Sequence, residues 1–379
     1  MKVVLVGESF GKHEQQFSHP LVWWSGRELA RMLAEAHLAP PVRAKYPGEL
    51  EMIAHWKYLR SNHGIAVTNV FNLHPDGDKT ELFFSRDGDK SLPGMRIKSS
   101  ILYVRPDYRS HVDKLYEEIS ELRPNLIIAL GNFACWALLG ASGISSIRGT
   151  VQLSERLKIK VLPTYHPAAL RDWSLRPTIV ADLTKAAREA EFPEIRRIKR
   201  YITCESNLTK DRVTLDEIET WFQTRADSYA IDIETGYSLF TKAELKNMPF
   251  KMKKILAELI TMISFASDSS RAVVIPFMTR EDEGLNYWKT EADEIRAWKI
   301  VARELNSPIP KTFQNGLFDI GHFVRNKFLV RNAIDDTMIL NHALFPESLK
   351  SLGYLGSLHS NETNWKSMRA SGEDIKREA

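Results

Sequence analysis

Two carboxylates, Asp232 and Glu234, stand two residues apart inside the largely apolar stretch SYAIDIETGY, Ser228–Tyr237. In a strand, residues i and i+2 leave the same face, so both carboxylates would point one way. Like charges on one face repel and are costly to desolvate, and such a strand is best tolerated where cations neutralise it, as in paired magnesium sites. Downstream, in QNGLFDIGHFVRN, Asn315 and Asp319 are four apart and share a helix face, which lets Asp319 meet the Asp232/Glu234 strand. Taken alone, Asn315 reads as a helix N-cap and Asp319 as an exposed helix carboxylate. Taken with the Asp-x-Glu strand, they point to a metal site.

A second set of groups lies in the first half. Gly7-Glu8, Thr68-Asn69, Gly131-Asn132 and Tyr165-His166 fall at or just after four apolar runs, Val3–Val6, Ile65–Val70, Leu126–Leu130 and Ile159–Leu162. Each pair alone reads as a strand cap. If the runs are parallel strands, however, the ligand crevice lies outside their carboxyl ends, and the four pairs together outline one pocket.

The elements that must carry these groups are legible as patterns. The four runs have the continuous apolar character of buried parallel strands. Between them Leu29, Met32, Leu33 and Ala36 share one helix face, and Leu115, Ile119 and Leu122 share another. This alternation predicts an α/β domain with a mostly parallel sheet. The segment Asp76–Gly94, rich in Gly, Asp and Lys, reads as a long loop. Leu126–Ile144 approaches membrane-spanning length, but Gly131-Asn132 interrupts it, and strand, turn and buried helix is the better reading. At Phe192-Pro193 the organisation changes. The basic stretch Ile195–Cys204 alternates like an edge strand opening a second domain, followed by a helix (Leu215–Thr224), strands at Tyr229–Ile233, Leu259–Ala266, Arg271–Phe277 and Lys311–Phe313, and a helix near Glu291–Leu305. Strands early and helices late predict an α+β domain with a mixed sheet.

The totals agree with two domains, since 379 residues exceed the size at which a single core keeps growing. Hydrophobic residues at 43% and charged residues at 26% are ordinary for a globular chain and argue against long disorder. A net charge of +4 permits nucleic acid as a partner through local patches. The two cysteines, Cys135 and Cys204, are far apart and lack any Cys/His cluster. That argues against zinc or iron–sulfur chemistry and for a reducing cytoplasm, bacterial or phage-infected. The opening MKVVLVGES is too short for a signal peptide and reads as a first strand, so no membrane partner is expected.

The wording of the second half, SYAIDIET, then NGLFDIGHF, then IDDTMILNHALFPESLKSLGYLGSLHS, resembles the proofreading 3′–5′ exonuclease domain of DNA polymerase I-type enzymes, in the ribonuclease-H-like DEDD group. The resemblance spans about residues 195 to 379. It implies that Asp232 and Glu234 bind two Mg2+ or Mn2+ ions and that Asp319 holds the second ion, partly through water. One ion would lower the pKa of a water and the other would stabilise the leaving oxygen. It also implies single-stranded DNA 3′ ends as substrate, Asn315 beside them, and Asp336-Thr337-Met338 with Leu349 and Leu352–Leu355 as packing beneath the site. The family's third motif, Tyr-x3-Asp or His-x4-Asp, is absent, because Asp374 is the only Asp after Asp336 and is preceded at these spacings by Ala370 and Arg369. The chain is therefore expected to stop short of that motif, as the front part of a polymerase would, or to be an impaired exonuclease.

The first half resembles the uracil-DNA glycosylase superfamily, nearest its family-four type, through GESFGKHEQQ, HPLVWWSGREL, VTNVFNLHP, LRPNLIIALGNFACWALLG, IRGTVQ and LPTYHPAAL. The resemblance covers about residues 1 to 190. It implies that Glu8 lies in the loop positioning the hydrolytic water, Asn69 reads the base edge, and His166 stabilises the departing base after the nucleotide is flipped from the stack. An Asn amide suits uracil because it offers a donor and an acceptor. The family's iron–sulfur cysteines are missing. Leu21 stands where a base-stacking Phe is expected, and Trp23 where a Gly is expected; Trp23 and Trp24 then either fill the pocket or offer another stacking surface. Arg148 and the basic groups near Arg200 are candidates for phosphate contacts.

The reading is a three-layer α/β glycosylase-like domain over 1–192 joined to an α+β ribonuclease-H-like exonuclease domain over 195–379 that lacks its C-terminal end. It is a DNA-processing hydrolase acting on 3′ ends and uracil-containing strands, with a polymerase domain or subunit as a further partner. The competing readings are a non-catalytic DNA-docking module and a 3′ exoribonuclease.

Overall fold

The computed structural model describes residues 1–196, 198–204, 212–224, 226–280 and 285–360. They fall into two units, residues 1–196 with the segment from Gly353, and residues 198–352.

In the first unit the four apolar runs are strands β1 (Val3–Ser9), β2 (Ile65–Phe71), β3 (Leu126–Leu130) and, after the short β4 (Gln152–Leu153), β5 (Lys160–Thr164). They lie in the order β2-β1-β3-β5-β4, every pairing parallel except β4 with β5. A strand buried on both faces needs apolar residues at every position, and β1 and β3 supply them. Val3 and Leu5 pack with Leu29, Met32 and Leu33 of α2 (Trp24–Glu35), Met52, Trp56 and Leu59 of α3 (Glu49–His63), and Ile179 and Leu183 of the later helix Arg176–Glu189. Val4 and Val6 pack on the opposite face with Val112, Leu115 and Ile119 of α4 (Pro106–Leu122) and Trp136 of α5 (Gly131–Leu139). Two helical layers thus cover one mostly parallel sheet. Before α2 lies a six-residue helix, α1 (Lys12–Phe17). The helix Arg176–Glu189 is α6.

Within Asp76–Gly94 the chain makes short 3-10 turns and a two-residue strand, and a hairpin, Met95–Ile97 with Ser100–Val104, follows. The segment from Gly353, most of the helix Leu352–His359, also belongs to this unit. The sequence pattern had put it in the exonuclease-like part. Leu355 is buried, the Tyr354 hydroxyl bonds Thr178 Oγ1 at 2.7 Å, and Lys185 Nζ donates to the carbonyls of Ser357 and Ser360, both at 2.6 Å.

The second unit is built on a six-stranded mixed sheet. Its strands are β6 (Tyr201–Thr203), β7 (Tyr229–Thr235), β8 (Ile260–Ala266), β9 (Arg271–Pro276), β10 (Lys311–Phe313) and β11 (Ala333–Asp336), in the order β11-β10-β7-β8-β9-β6. β8 runs antiparallel to both neighbours, while β7, β10 and β11 are parallel. Of the expected edge strand over Ile195–Cys204, Tyr201–Thr203 is the part that pairs among the described residues, with β9. Tyr229, Ile231 and Ile233 of β7 enter a core with Ile263, Phe265 and Val273 from the sheet, Ile218 of α7 (Leu215–Gln223), Ile300 and Val301 of α8 (Glu291–Leu305), and Phe323 of α9 (Gly316–Arg325). The Lys-rich stretch Lys242–Lys254 forms the short helix Lys242–Asn247 and enters a second, Phe250–Glu258. Among the described residues no helix is long and apolar enough to cross a membrane.

Candidate functional site

Because β1, β2, β3 and β5 are parallel neighbours, the residues after each emerge at one end of the sheet. Gly7 is paired with Asn69 in the β1–β2 register, and a methyl at position 7 would come within 2.2 Å of Asn69 Oδ1. The glycine is required for that approach. Glu8 follows, partly buried, and burial raises its pKa; a hydrogen bond from Thr80 opposes the rise and the charge of Glu81 adds to it. Phe10 N–H donates to Leu73 O at 3.2 Å and His74 N–H to Gln15 Oε1 at 2.9 Å, so the loops after β1 and β2 are stitched together.

His166 follows β5 and sits against Gly131 at the start of α5, where an added methyl would meet its Cβ at 3.1 Å. Its Nδ1 accepts the Ala168 N–H at 3.1 Å, so the proton of the neutral ring lies on Nε2. Burial lowers its pKa to about 4, and the ring is neutral at pH 7. Glu8 and Asn69 thus lie near the carboxyl ends of the adjacent strands β1 and β2, and His166 just past the same end of β5, with β3 between. Asn132 does not join them as a ligand group, because its Oδ1 is taken by the N–H groups of Gly143 and Ile144.

Glu14 was not singled out by its sequence context, yet it organises the β1–α2 connection. Its carboxylate accepts from Gly11 N–H and, at 2.9 Å, from Leu21 N–H. Burial raises its pKa, against these same hydrogen bonds. The available signal was its place three residues after Gly11, the spacing of a capping carboxylate.

In the second unit β7 alternates as expected, with Asp232 and Glu234 off the core face. Asp319, on α9, is only 3% exposed, and its Oδ1 accepts the Ile233 N–H at 3.1 Å. Burial first, and the charge of Asp232 second, push its pKa up to about 6. Asp319 therefore does reach the Asp232 strand. Among the described residues, however, no three His, Cys, Asp or Glu side chains converge as a metal-ligand group, so the expected two-ion donor set of Asp232, Glu234 and Asp319 is not assembled. Asn315 precedes α9 in a left-handed conformation, its side chain capping nothing; Asp336 instead accepts the N–H groups of Asn315 and Gly316, at 3.1 and 2.7 Å.

The profile of the Uracil DNA glycosylase superfamily matches residues 1–189. Residues 1–189 are a domain of that superfamily. A type-4 uracil-DNA glycosylase from Archaeoglobus fulgidus is 24% identical over 176 residues, 45% of this chain and 66% of the relative, so the chain spans just under two thirds of that protein's length.

Within the glycosylase-superfamily domain, Leu21 and Arg148 lie differently from expectation, while Trp23 takes one of its two expected places. Leu21 is 2% exposed with its side chain in the core, and its carbonyl accepts from Trp56 Nε1 at 2.9 Å; it presents no surface to a base. Trp23 remains 41% exposed and stacks on His13, rather than sinking into the domain. Arg148 is not a phosphate contact. It is 2% exposed and forms a two-pronged ion pair with Asp182, one arm at 2.9 Å, while its third nitrogen donates to Ser357 Oγ at 2.7 Å. A guanidinium so enclosed is consumed by structure. The residues present do not fit an iron–sulfur cluster: Cys135 is fully buried in the core with its thiol pushed up to about 12, and Cys204 lies in the other unit.

Proposed function

We propose that this chain is a DNA-processing protein whose first unit hydrolyses the N-glycosidic bond of an extruded base, with uracil as the expected base. The observation that carries the reading is that Glu8, Asn69 and His166 stand toward the same, carboxyl-terminal end of one parallel sheet, on β1, on β2 and just after β5, within a domain of the glycosylase superfamily. Each group suits a step. The Asn69 amide can pair with the donor and acceptor on one edge of the base. A neutral His166, with Nε2–H free to donate, supports the departing base as negative charge develops on its oxygen. Glu8, close to the same end and partly desolvated, is the group to orient and deprotonate water. The assay is an oligonucleotide carrying one uracil, incubated with the chain and treated with alkali. Strand scission at the uracil is expected, reduced on the order of a hundredfold or more in His166→Gln, since a lost charge-stabilising donor costs about that much. No alkali-sensitive site with wild type would sink the glycosylase reading.

A second reading concerns the other unit, as a ribonuclease-H-like 3′–5′ exonuclease working beside a polymerase domain or subunit. It is supported by the order β11-β10-β7-β8-β9, in which the carboxylate strand is central and its one antiparallel partner, β8, lies between it and β9, and by the approach of Asp319 to Asp232. The lack, among the described residues, of three converging ligand-type side chains weighs against it. A 3′-labelled single strand with Mg2+ that is shortened by wild type and untouched by Asp232→Ala would support it. Equal degradation by both, or by neither, would reject it.

A further inference from the structure

Trp23 occupies the N-cap of α2, where Ser, Thr, Asp or Asn would satisfy an otherwise unpaired backbone N–H; no side-chain cap is made. The sequence gives up that cap for a large aromatic that stays 41% exposed. The ring is held in place. It stacks on His13 with centroids 3.8 Å apart and planes within 5°, and the Arg27 guanidinium carbon lies 4.7 Å from its centroid. His13 is steadied in turn by Glu49, 3.4 Å from Nδ1. The backbone below is rigid, because Glu14 binds the N–H of Leu21, and a methyl at Gly26 would fall 1.6 Å from the Leu21 carbonyl oxygen. The Nε of Arg27 is buried with no hydrogen-bond partner among the described residues. An aromatic pair with a partly exposed surface, and against it a guanidinium held by the ring rather than by a carboxylate, has the chemistry of a nucleotide contact, a π-face for a base and a cation for its phosphate. The connection bearing it leaves the strand end that carries Glu8.

We infer that His13, Trp23 and Arg27 form a stacking clamp for an unpaired nucleotide of the DNA strand next to the one being processed, an inference that rests on the base-excision reading of this domain. Base and phosphate are engaged together. The clamp would hold a strand whose neighbouring base has left the stack, and so favour single-stranded or locally opened DNA.

The test uses the full chain and a fluorescein-labelled oligothymidylate without uracil, with affinity read by anisotropy from 50 to 200 mM salt. Trp23→Ala is expected to weaken binding roughly tenfold, a typical loss for one base stack, and Trp23→Phe to retain most of it. Arg27→Gln is expected to weaken binding and to flatten the slope of log Kd against log salt by about 0.7, the change for one phosphate on a single strand. Trp23→Phe and Arg27→Gln also guard against misfolding of the alanine variant. Binding within about twofold of wild type for Trp23→Ala and Arg27→Gln, with an unchanged salt slope, overturns the clamp. Uracil excision is scored separately. Trp23-dependent binding without excision would refute only the glycosylase chemistry, whereas excision with Trp23-independent binding would refute only the clamp.

Discussion

Two titratable side chains carry environments that differ sharply from water, and each makes a pH prediction. His166 is depressed to about 4 by burial, so the folded chain binds fewer protons than the unfolded chain below the ordinary His range. Its contribution to stability is complete above about pH 6.5 and is lost as pH falls from there toward 4, by up to about 1.4 kcal/mol per pH unit. Urea midpoints followed over that window should fall more steeply for wild type than for His166→Gln; parallel curves would contradict the half-buried, neutral ring. Asp319 has the opposite sign. Its folded pKa is raised to about 6, so wild-type stability declines as pH rises from about 4 through 6. Asp319→Asn removes the repulsion from Asp232 and keeps an acceptor for the Ile233 N–H. It should stabilise the second unit by about 1–3 kcal/mol at pH 7.5, a gain that vanishes as pH falls below both the folded and the ordinary value for Asp319 and its carboxyl is protonated in either state.

At the scale of elements, the pockets of a parallel sheet are made by the loops that leave its strands, and the β1–α2 loop is held by one buried carboxylate. Glu14→Ala would strand the N–H groups of Gly11 and Leu21, a cost of about 1–3 kcal/mol for each buried donor left unpaired. Hydrogen exchange should then speed up at Gly11–Val22, while the strands of the central sheet stay protected. Uniform exchange across both would show that the loop is not a separate unit of order. The periodicities that define β1, β3, β7 and α8 are strong because each element buries one face, or both, in a core. Elements without that burial were harder to read. The stretch Ile195–Cys204 alternates over its length, but among its described residues the pairing is at Tyr201–Thr203, since an edge strand is held by a single neighbour.

For the whole molecule, the segment from Gly353 is the feature that links distant sequence to the first unit. It supplies Ser357 Oγ to Arg148, and the Ser357 and Ser360 carbonyls to Lys185, whose pKa is lowered to about 8 by burial despite the nearby Asp182 charge. A chain ended at Leu352 should therefore lose about 2–4 kcal/mol from unfolding of the first unit, as two buried cations lose neutral partners and Leu355 is removed. Calorimetry decides this. An unmoved first-unit transition would mean that Arg148 and Lys185 are satisfied without the segment. Asp182→Ala should cost more, about 3–5 kcal/mol, because it leaves the Arg148 guanidinium buried beside no carboxylate.

By itself the sequence determined the strand positions, the alternation that turns Asp232 and Glu234 off the core face, and the place of Glu8, Asn69 and His166 at or just after the carboxyl ends of parallel strands. These are local consequences of periodicity, and periodicity is written along the chain. Only the tertiary structure decided which charged groups are spent on the fold. Arg148 looks like a phosphate ligand in its turn, and it is enclosed by Asp182 and Ser357, 34 and 209 residues away. Trp23 could by its sequence either fill a pocket or offer a stacking surface, and it stays at the surface on His13. A side chain's partners depend on contacts that sequence spacing does not encode, so the roles of such residues emerge only once burial and neighbours are fixed.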